Sequence, residues 1–329
     1  MPKSPIIQVE NLVKKYGKLT AVNDISFTVD EGESFGLLGP NGAGKTTVIN
    51  ILCTLSKPTA GKALINGFDV NKQRDKVRQS IGLVFQDPSL DDRLTALENL
   101  EFHSRVYNIP RAERKERMEQ VLNMVELWER RRDVVKTFSG GMKRRLELAR
   151  GLLHYPKVLF LDEPTLGLDP QTRHRIWDFI LELRKKEGTT VFLTTHYMDE
   201  AEYASRIAVI DYGKLVALDT PRGLKGMVGG DIITLDTADN NKAQAELKER
   251  YQIEANNDSG QLTFETANGD RFIPTLTKEL KTEISSISLR RPTLDDVFLK
   301  LTGHGLRDEA VRSEFKEIVR QIGRHHRRH

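Results

Sequence analysis

This sequence contains very little cysteine and no long uncharged stretch. Its 329 residues include a single cysteine, Cys53, which excludes an intramolecular disulfide and a zinc site of several thiolates. Runs without Asp, Glu, Lys or Arg reach only 11 residues, as in 46–56, whereas a membrane-spanning helix needs roughly 20 apolar residues. The N-terminal residues become charged before an apolar stretch of signal-peptide length forms. We therefore expect a soluble, cytoplasmic protein.

A strong charge of either sign is also missing. The chain has 51 Lys and Arg residues against 47 Asp and Glu residues, a net charge of +4, and residues 304–329 alone account for +3 of it. The rest of the chain is nearly neutral. We therefore expect no nucleic-acid partner, since the basic balance belongs mostly to one end of the chain.

What the sequence does contain is an alternation of short apolar runs with longer helical patterns. Over residues 1–218 this alternation predicts an α/β fold with a mostly parallel sheet. A charge-rich stretch at about 88–150 predicts a helical subdomain within it. The glycine-rich segment 219–230 predicts a linker. Residues 231–303 predict a small α+β accessory domain, for which a ferredoxin-like arrangement is one candidate.

A phosphate-binding loop follows the apolar strand predicted at 34–38. The loop and the start of the next helix comprise Gly39, Pro40, Asn41, Gly42, Ala43, Gly44, Lys45, Thr46 and Thr47. Glycines at this spacing let backbone N–H groups surround an anion, while Lys45 reaches the β- and γ-phosphates and Thr46 offers a hydroxyl to Mg²⁺. A chance glycine turn is the alternative, but the order of strand, loop and helix favours nucleotide binding.

Two carboxylates end a second apolar strand. Asp162 and Glu163 follow the run Val158 to Leu161. A strand of this kind delivers charge to the ligand crevice at its carboxyl end. We predict that Asp162 holds Mg²⁺ and that Glu163 orients and deprotonates water. Such a strand end alone is common, and the prediction depends on the phosphate loop upstream.

A serine and two glycines before a helix distinguish among nucleotide-binding classes. Ser139, Gly140, Gly141 and Met142 precede an apolar and basic helical stretch, and a helix start of this kind is a second anion site. In this order, upstream of the Asp162 strand, the segment resembles the signature of the ABC ATPase family. Ser139 and the two glycines match that signature, whereas Phe138 and Met142 depart from its usual form.

The resemblance implies a P-loop ABC ATPase core with a mostly parallel sheet, an antiparallel β part and a helical subdomain. It also implies roles for further residues, with ATP and Mg²⁺ as cofactors. Tyr16 matches the aromatic residue that stacks on adenine, and Gln86 matches the glutamine that senses Mg²⁺ and water. Asp169 lies in the loop that contacts the partner subunit, and His196 matches the histidine that contacts the γ-phosphate. Without the resemblance, an exposed tyrosine or a histidine at a strand end would carry no function.

Within the family, the chain resembles the daunorubicin-resistance type of exporter ATPase. This resemblance rests on the forms FSGGMKRRLELARGLL and LGLDP and on the C-terminal string RPTLDDVFLKLTG. It implies a separate membrane permease as partner, efflux of drugs, lipids or polyketides, and a peripheral location on the inner face of the cell membrane. It also implies two nucleotide domains facing head to tail, with a second copy of the chain as the expected partner.

Two other functions are weighed against the exporter ATPase. Soluble ABC ATPases of translation resemble two such domains in tandem, and those of DNA repair carry a very long coiled-coil insertion. One phosphate loop and a short interval between it and the signature disfavour both. A non-catalytic, nucleotide-gated binding module is disfavoured by Glu163, which such a module could lose.

Residues 304–329 form a basic amphipathic tail. Val311, Phe315, Ile318, Val319 and Ile322 share one face of a predicted helix. We expect this stripe to pack on the small domain and the final basic residues to approach anionic lipid. The alternatives are a helix packed on its own domain with a frayed basic end, and contact of the tail with the membrane surface or the permease.

Overall fold

The computed structural model describes residues 5–86, 89–258 and 260–303. Contacts divide this part of the chain into two compact units, and the boundary in the sequence falls between Leu218 and Asp219. The tail at 304–329 lies outside the described residues, so the predictions for it stay predictions. Within the described residues, no helix combines the length and the apolar character that crossing a bilayer requires.

The first unit is built from ten strands and seven α-helices among its described residues. The strands are β1 Pro5–Tyr16, β2 Leu19–Asp30, β3 Ser34–Leu38, β4 Ala60–Ile65, β5 Phe68–Asp69, β6 Ile81–Val84, β7 Val158–Asp162, β8 Thr190–Thr195, β9 Arg206–Asp211 and β10 Lys214–Asp219. The helices are α1 Lys45–Leu52, α2 Arg74–Ser80, α3 Ala96–Val106, α4 Arg111–Met124, α5 Gly140–Leu152, α6 Pro170–Glu187 and α7 Met198–Ala201.

A six-stranded sheet in the order β10-β9-β3-β8-β7-β6 is the framework of this unit. The pairs β3–β8, β3–β9, β7–β8 and β6–β7 are parallel. Every residue of β3, β7 and β8 is buried. Because successive side chains point to opposite faces, Val158 and Phe160 join one apolar core while Leu159 and Leu161 join another. Apolar cores on both faces explain why these strands read as continuous apolar runs.

A second sheet, in the order β2-β1-β4-β5, is antiparallel throughout. It packs its apolar residues into the same core as α1. The α/β class with a mostly parallel sheet, an antiparallel part and a helical region is therefore confirmed. The sequence predicts strands at Ile6–Val9, Ile25–Val29, Ser34–Leu38, Ile81–Phe85, Val158–Leu161, Val191–Thr194 and Ile207–Ile210, and β4, β5 and β10 are not among them.

Helices α3, α4 and α5 form the helical region, and their apolar residues share the second core with α6. Thr95 caps α3 through a capping box with Glu98. α5 runs very close to β6, since a Cβ atom on Gly82 would lie 2.2 Å from the carbonyl oxygen of Gly151. Only a glycine at position 82 permits this approach.

The second unit contains α8 Pro221–Gly226, β11 Asp231–Thr237, α9 Asn240–Tyr251, β12 Asn256–Asp258, β13 Gln261–Thr266, α10 Gly269–Glu279, β14 Ile284–Arg290 and α11 Leu294–Thr302. Its sheet has the order β12-β13-β11-β14. Helix α9 connects β11 to β12 and α10 connects β13 to β14, which is the ferredoxin-like arrangement. Part of the segment expected to be a linker is helical. Thr220 caps α8 and Pro221 occupies its first turn, so local capping outweighs the glycine content.

Candidate functional site

The candidate site lies at the carboxyl ends of three neighbouring strands. Leu38 of β3 is paired with Thr195 of β8, and Thr194 of β8 is paired with Asp162 of β7. The phosphate loop, Glu163 and His196 follow these strand ends directly. The sheet register therefore brings together segments that are far apart in the sequence, at the edge where ligands bind in open α/β sheets.

The phosphate loop needs glycine at defined positions. Gly44 precedes α1 with φ of 107°, and Gly42 has φ of 86°, which are left-handed conformations that favour glycine. A Cβ atom on Gly44 would also lie 2.4 Å from the carbonyl oxygen of Ala21. The loop thus packs against β2 on one side and opens into the amino end of α1, which favours a bound anion.

Lys45 lies inside this loop, with its ammonium group almost fully buried. Its Nζ donates to the carbonyl oxygens of Gly39 at 2.9 Å and Pro40 at 3.1 Å, and it lies 3.3 Å from Oε1 of Glu163. Burial lowers the pKa of Lys45, while the charges of Glu163 and Asp162 oppose that shift. A phosphate group entering the loop would compete with these oxygens for the ammonium group.

Asp162 and Thr46 present a pair of oxygen ligands. Oγ1 of Thr46 lies 3.5 Å from Oδ1 of Asp162, and the Thr194 hydroxyl donates to the same oxygen at 2.5 Å. Burial raises the pKa of Asp162, and the hydrogen bond from Thr194 acts against that shift. A hydroxyl and a carboxylate beside a phosphate loop are the ligands that Mg²⁺ takes together with phosphate oxygens. The residues present fit this ion.

Glu163 is held in a strained and charged environment. Its φ of 47° is rare for a residue with a side chain, and its N–H donates to the Thr194 carbonyl oxygen at 3.1 Å. Nδ1 of His196 lies 3.2 Å from Oε1 of Glu163. Burial by itself raises the pKa of Glu163, but His196 and Lys45 outweigh it and hold that pKa below its ordinary value. The carboxylate is therefore ionised at neutral pH and can accept a proton from water.

Gln86 lies at the same edge of the sheet but apart from these contacts. β6 pairs with β7, and Gln86 follows β6 by two positions. Its side chain is exposed, and among the described residues it makes no hydrogen bond to Thr46 or Asp162. Residues 87 and 88 are outside the described part of the chain.

The segment predicted to bind a second anion lies exposed at the start of α5. Ser139 caps the helix and accepts a hydrogen bond from the Met142 N–H at 3.3 Å. Gly140 is exposed, whereas the Met142 side chain packs against the helical core, as does the buried Phe138. Within the described residues, no hydrogen bond joins this segment to the phosphate loop.

Asp169 and Tyr16 are the remaining predicted residues. Asp169 caps α6, and its hydrogen bonds from Thr172 hold its pKa below the ordinary value. Tyr16 ends β1, is 48% exposed and has the Lys14 ammonium 4.7 Å from its ring centroid. An exposed ring with one cation beside it leaves room for a stacked base.

Three buried charged residues near the site were missed by sequence reasoning. Arg144 and Glu147 lie on α5, and Glu200 lies on α7. The first two interrupt the apolar pattern of α5 on its buried face, a signal that was present in the sequence. Glu200 had no comparable signal, because it sits among other acidic residues after His196.

Comparison with known proteins identifies both units. Residues 22–166 match the family model described as ABC transporter, and residues 220–302 match the model described as ATP-binding protein DrrA1-3-like, C-terminal domain. The linearmycin resistance ATP-binding protein of Bacillus subtilis is 39% identical over 92% of this chain and 100% of that protein. The daunorubicin resistance ATP-binding protein DrrA2 of Streptomyces coeruleorubidus is 41% identical over 91% of this chain and 95% of its own length.

A solved structure agrees with these relatives. A bacterial ABC transporter cassette, solved as a dimer, superposes with a TM-score of 0.60 and 31% sequence identity. The match covers 65% of this chain and 98% of the cassette. The predicted fold class and the resemblance to drug-resistance ATP-binding proteins are therefore confirmed.

Proposed function

Because this chain belongs to the family of drug-resistance ABC transporter ATP-binding proteins, we propose that it closes head to tail with a second ATPase subunit and powers a separate membrane permease. As an ATPase of this family it binds and hydrolyses ATP. The function we propose is efflux of drugs, lipids or polyketides. Its expected location is the cytoplasmic face of the membrane, bound to the permease.

The exposed start of α5 carries the proposal of a dimer. Ser139 to Gly141 form an anion-binding helix start that makes no hydrogen bond to the phosphate loop of the same chain within the described residues. A second chain facing the first would bring this segment to the ATP held by Lys45. Asp169, exposed at the start of α6, is then a contact between the two subunits.

The chemistry at each site follows from the residues around Glu163. Thr46 and Asp162 would hold Mg²⁺, which neutralises phosphate charge when bound. Phosphate oxygens that take over the Lys45 ammonium remove one group that lowers the pKa of Glu163. The carboxylate then becomes a stronger base toward water, and His196 fixes its orientation. We assign Gln86 to the sensing of Mg²⁺ and water, and Tyr16 to adenine stacking.

The two units divide this work in our proposal. Residues 1–218 act as the nucleotide-binding domain, and residues 231–303 serve as an accessory domain. The basic tail at 304–329 is proposed to approach anionic lipid beside the permease. A function in translation or DNA repair is not favoured, because the relatives at about two-fifths identity are resistance proteins over nearly their whole length.

Trapping of an ATP-bound dimer tests the proposal. Glu163→Gln should keep ATP and Mg²⁺ binding but stop hydrolysis, because the amide cannot accept the proton. The full-length variant should therefore form a dimer on addition of ATP, measured by light scattering after size-exclusion chromatography, with the permease present.

Lys45→Ala is the matched control, since it should bind no ATP and stay a monomer. A Glu163→Gln chain that remains monomeric at saturating ATP would contradict the head-to-tail arrangement.

A further inference from the structure

Helix α5 carries three buried charged side chains, Arg144, Glu147 and Arg150, that the motifs do not explain. Arg144 is 7% exposed and Glu147 is fully buried, although both lie on a helix whose first residues are the exposed signature segment. Buried charges are costly unless they are paired or fully hydrogen-bonded. Their partners therefore indicate what they are for.

Arg144 binds backbone carbonyl groups at the carboxyl ends of two neighbouring strands, β6 and β7. Its Nη1 donates to the carbonyl oxygen of Phe85 at 2.5 Å, and its Nε donates to that of Pro164 at 2.5 Å. Its Nη2 lies 3.3 Å from the carbonyl oxygens of Asp162 and Glu163. One planar guanidinium thus holds the residue before Gln86 and the backbone at Glu163.

Arg144 keeps its charge in this position. Burial lowers the pKa of Arg144 to about 10, and the nearby carboxylates of Glu147, Asp162 and Glu200 act against that shift. Within the described residues it forms no direct ion pair with a carboxylate, so the four carbonyl oxygens are what its donors reach.

Glu147, one turn further along α5, holds the other side of Gln86. Its Oε1 accepts hydrogen bonds from the Ser89 N–H at 2.7 Å and from the Ser89 hydroxyl at 3.2 Å. Its Oε2 accepts from Nη2 of Arg150 at 3.1 Å. The residues that α5 holds therefore lie one position before and three positions after Gln86.

We propose that Arg144 and Glu147 are positioning residues, which fix Gln86 and Glu163 relative to each other from the helix that begins at Ser139. Neither side chain touches the reacting atoms, and each acts through the backbone it holds. The inference rests on the proposed roles of Gln86 and Glu163. It adds that the helix presenting the signature to the partner's ATP also supports the chain's own catalytic residues.

Replacement of Arg144 separates positioning from nucleotide binding. Arg144→Gln removes most of the donors, so Gln86 and Glu163 lose their fixed relation while the phosphate loop is unaltered. We expect kcat for ATP hydrolysis by the full-length chain to fall roughly tenfold to hundredfold, the range for small misplacements of reacting groups. KM for ATP should change by less than about threefold, since Lys45 is untouched. Arg144→Lys, which retains the charge and part of the hydrogen bonding, should recover part of kcat.

The neighbouring Arg145 supplies the matched control. Its Nη1 donates to the Val125 carbonyl oxygen and pairs with Glu126, both in the helical region. Arg145→Gln makes the same chemical change one position away and should leave kcat unchanged. An equal fall in kcat in both variants would overturn the assignment of Arg144. A higher KM and a lower melting temperature in Arg144→Gln with an unchanged kcat would also overturn it.

A double-mutant cycle tests Glu147, whose partner Ser89 lies beside Gln86. If Glu147→Gln acts through Gln86, its effect on kcat should largely disappear when Gln86→Ala is already present. Additive effects would overturn the inference for Glu147. A normal kcat in Gln86→Ala alone would overturn the proposed role of Gln86, and with it this inference. Loss of kcat in Gln86→Ala with normal kcat in Arg144→Gln and Glu147→Gln would overturn the inference alone.

Discussion

Glu200 is a buried carboxyl group that joins two segments beside Glu163 and His196. It accepts hydrogen bonds from the hydroxyl groups of Thr165, in the loop after Glu163, and Thr195, which precedes His196. Burial raises the pKa of Glu200 to about 7, and Glu163 adds to that rise. The Thr195 hydrogen bond and the charges of Arg173 and His196 oppose it. Glu200 therefore titrates near neutral pH.

This raised pKa predicts a pH-dependent contribution to stability. The ordinary pKa of 4.5 applies to the unfolded chain, so between about 4.5 and 7 the folded protein keeps a proton that the unfolded chain releases. The contribution is complete below the unfolded value and is lost as pH rises through the folded value. The free energy of unfolding of the natural protein relative to Glu200→Gln should thus fall between about pH 4.5 and 7 and level off at higher pH, measured by urea denaturation.

Glu249→Gln, an exposed substitution on α9, is the reference for a charge change without burial. A constant difference between the natural protein and Glu200→Gln across that pH range would contradict a raised pKa at this position.

At the scale of single residues, the sequence was informative where function depends on local backbone chemistry. Lys45 and Ser139 sit in segments whose glycines and helix starts bind anions regardless of the rest of the chain. Arg144 and Glu200 act through partners that are distant in the sequence. The partners of Arg144 and Glu200 are known only once the sheet register and the packing of α5 and α7 are known, so no local pattern predicts those partners, although the charge of Arg144 on the buried face of α5 is visible in the sequence.

Helix α3 has one side that its own unit leaves uncovered. Its buried side carries Ala96, Leu100 and Ser104, while Phe102 and Val106 are each 59% exposed. The two exposed side chains are four positions apart and therefore neighbours on the helix surface. A small apolar surface of this kind marks a candidate contact for a protein partner.

In the proposed assembly with a separate permease, we expect this surface to contact that permease. Combined Phe102→Ser and Val106→Ser substitutions should leave ATP hydrolysis by the isolated chain and its melting temperature within error. They should abolish co-purification of the polytopic partner from detergent-solubilised native membranes. Leu55→Ser, at a residue 52% exposed after α1, is the control for loss of an apolar side chain. Undiminished co-purification would contradict a permease contact at Phe102 and Val106.

At the scale of elements, the buried parallel strands were predicted because they are mostly apolar. β3 was predicted with its observed limits, Ser34–Leu38. β4 was missed because Ala60–Ile65 begins with exposed small and charged residues, which do not indicate a strand. Its antiparallel pairing with β1 stabilises the strand instead. Strand pairing of that kind is a tertiary interaction that overrides local preference.

Over the whole molecule, one chain contains two halves of different ATP sites in the proposed assembly. Mixing Ser139→Arg chains with Lys45→Ala chains should therefore restore some ATP hydrolysis, because one site of the mixed dimer combines an intact Lys45 with an intact Ser139. Each variant alone should be inactive. The measurement is phosphate release from a mixed dimer purified with two different affinity tags.

A silent mixed dimer would mean either that both sites must be intact or that the two segments do not meet. The sequence indicated this assembly only through resemblance to a family. The surfaces proposed to meet in the dimer are exposed in the single chain. Exposed residues give no periodic apolar pattern, so the sequence alone does not predict which surfaces form the interface.

The left-handed backbone at Glu163 has a consequence for how such an enzyme can change over generations. A non-glycine residue at φ of 47° costs about 1 kcal/mol relative to an ordinary conformation. Glycine at position 163 would remove that cost together with the carboxylate. One codon change can therefore relieve the backbone at this position and, in the same step, remove the carboxylate to which we assign hydrolysis. The change would also leave the buried Lys45 ammonium without the carboxylate 3.3 Å away, so the backbone gain is offset by the loss of that ion pair. The backbone conformation alone favours losing the side chain that the proposed function needs, and glutamate is retained at position 163 against that preference.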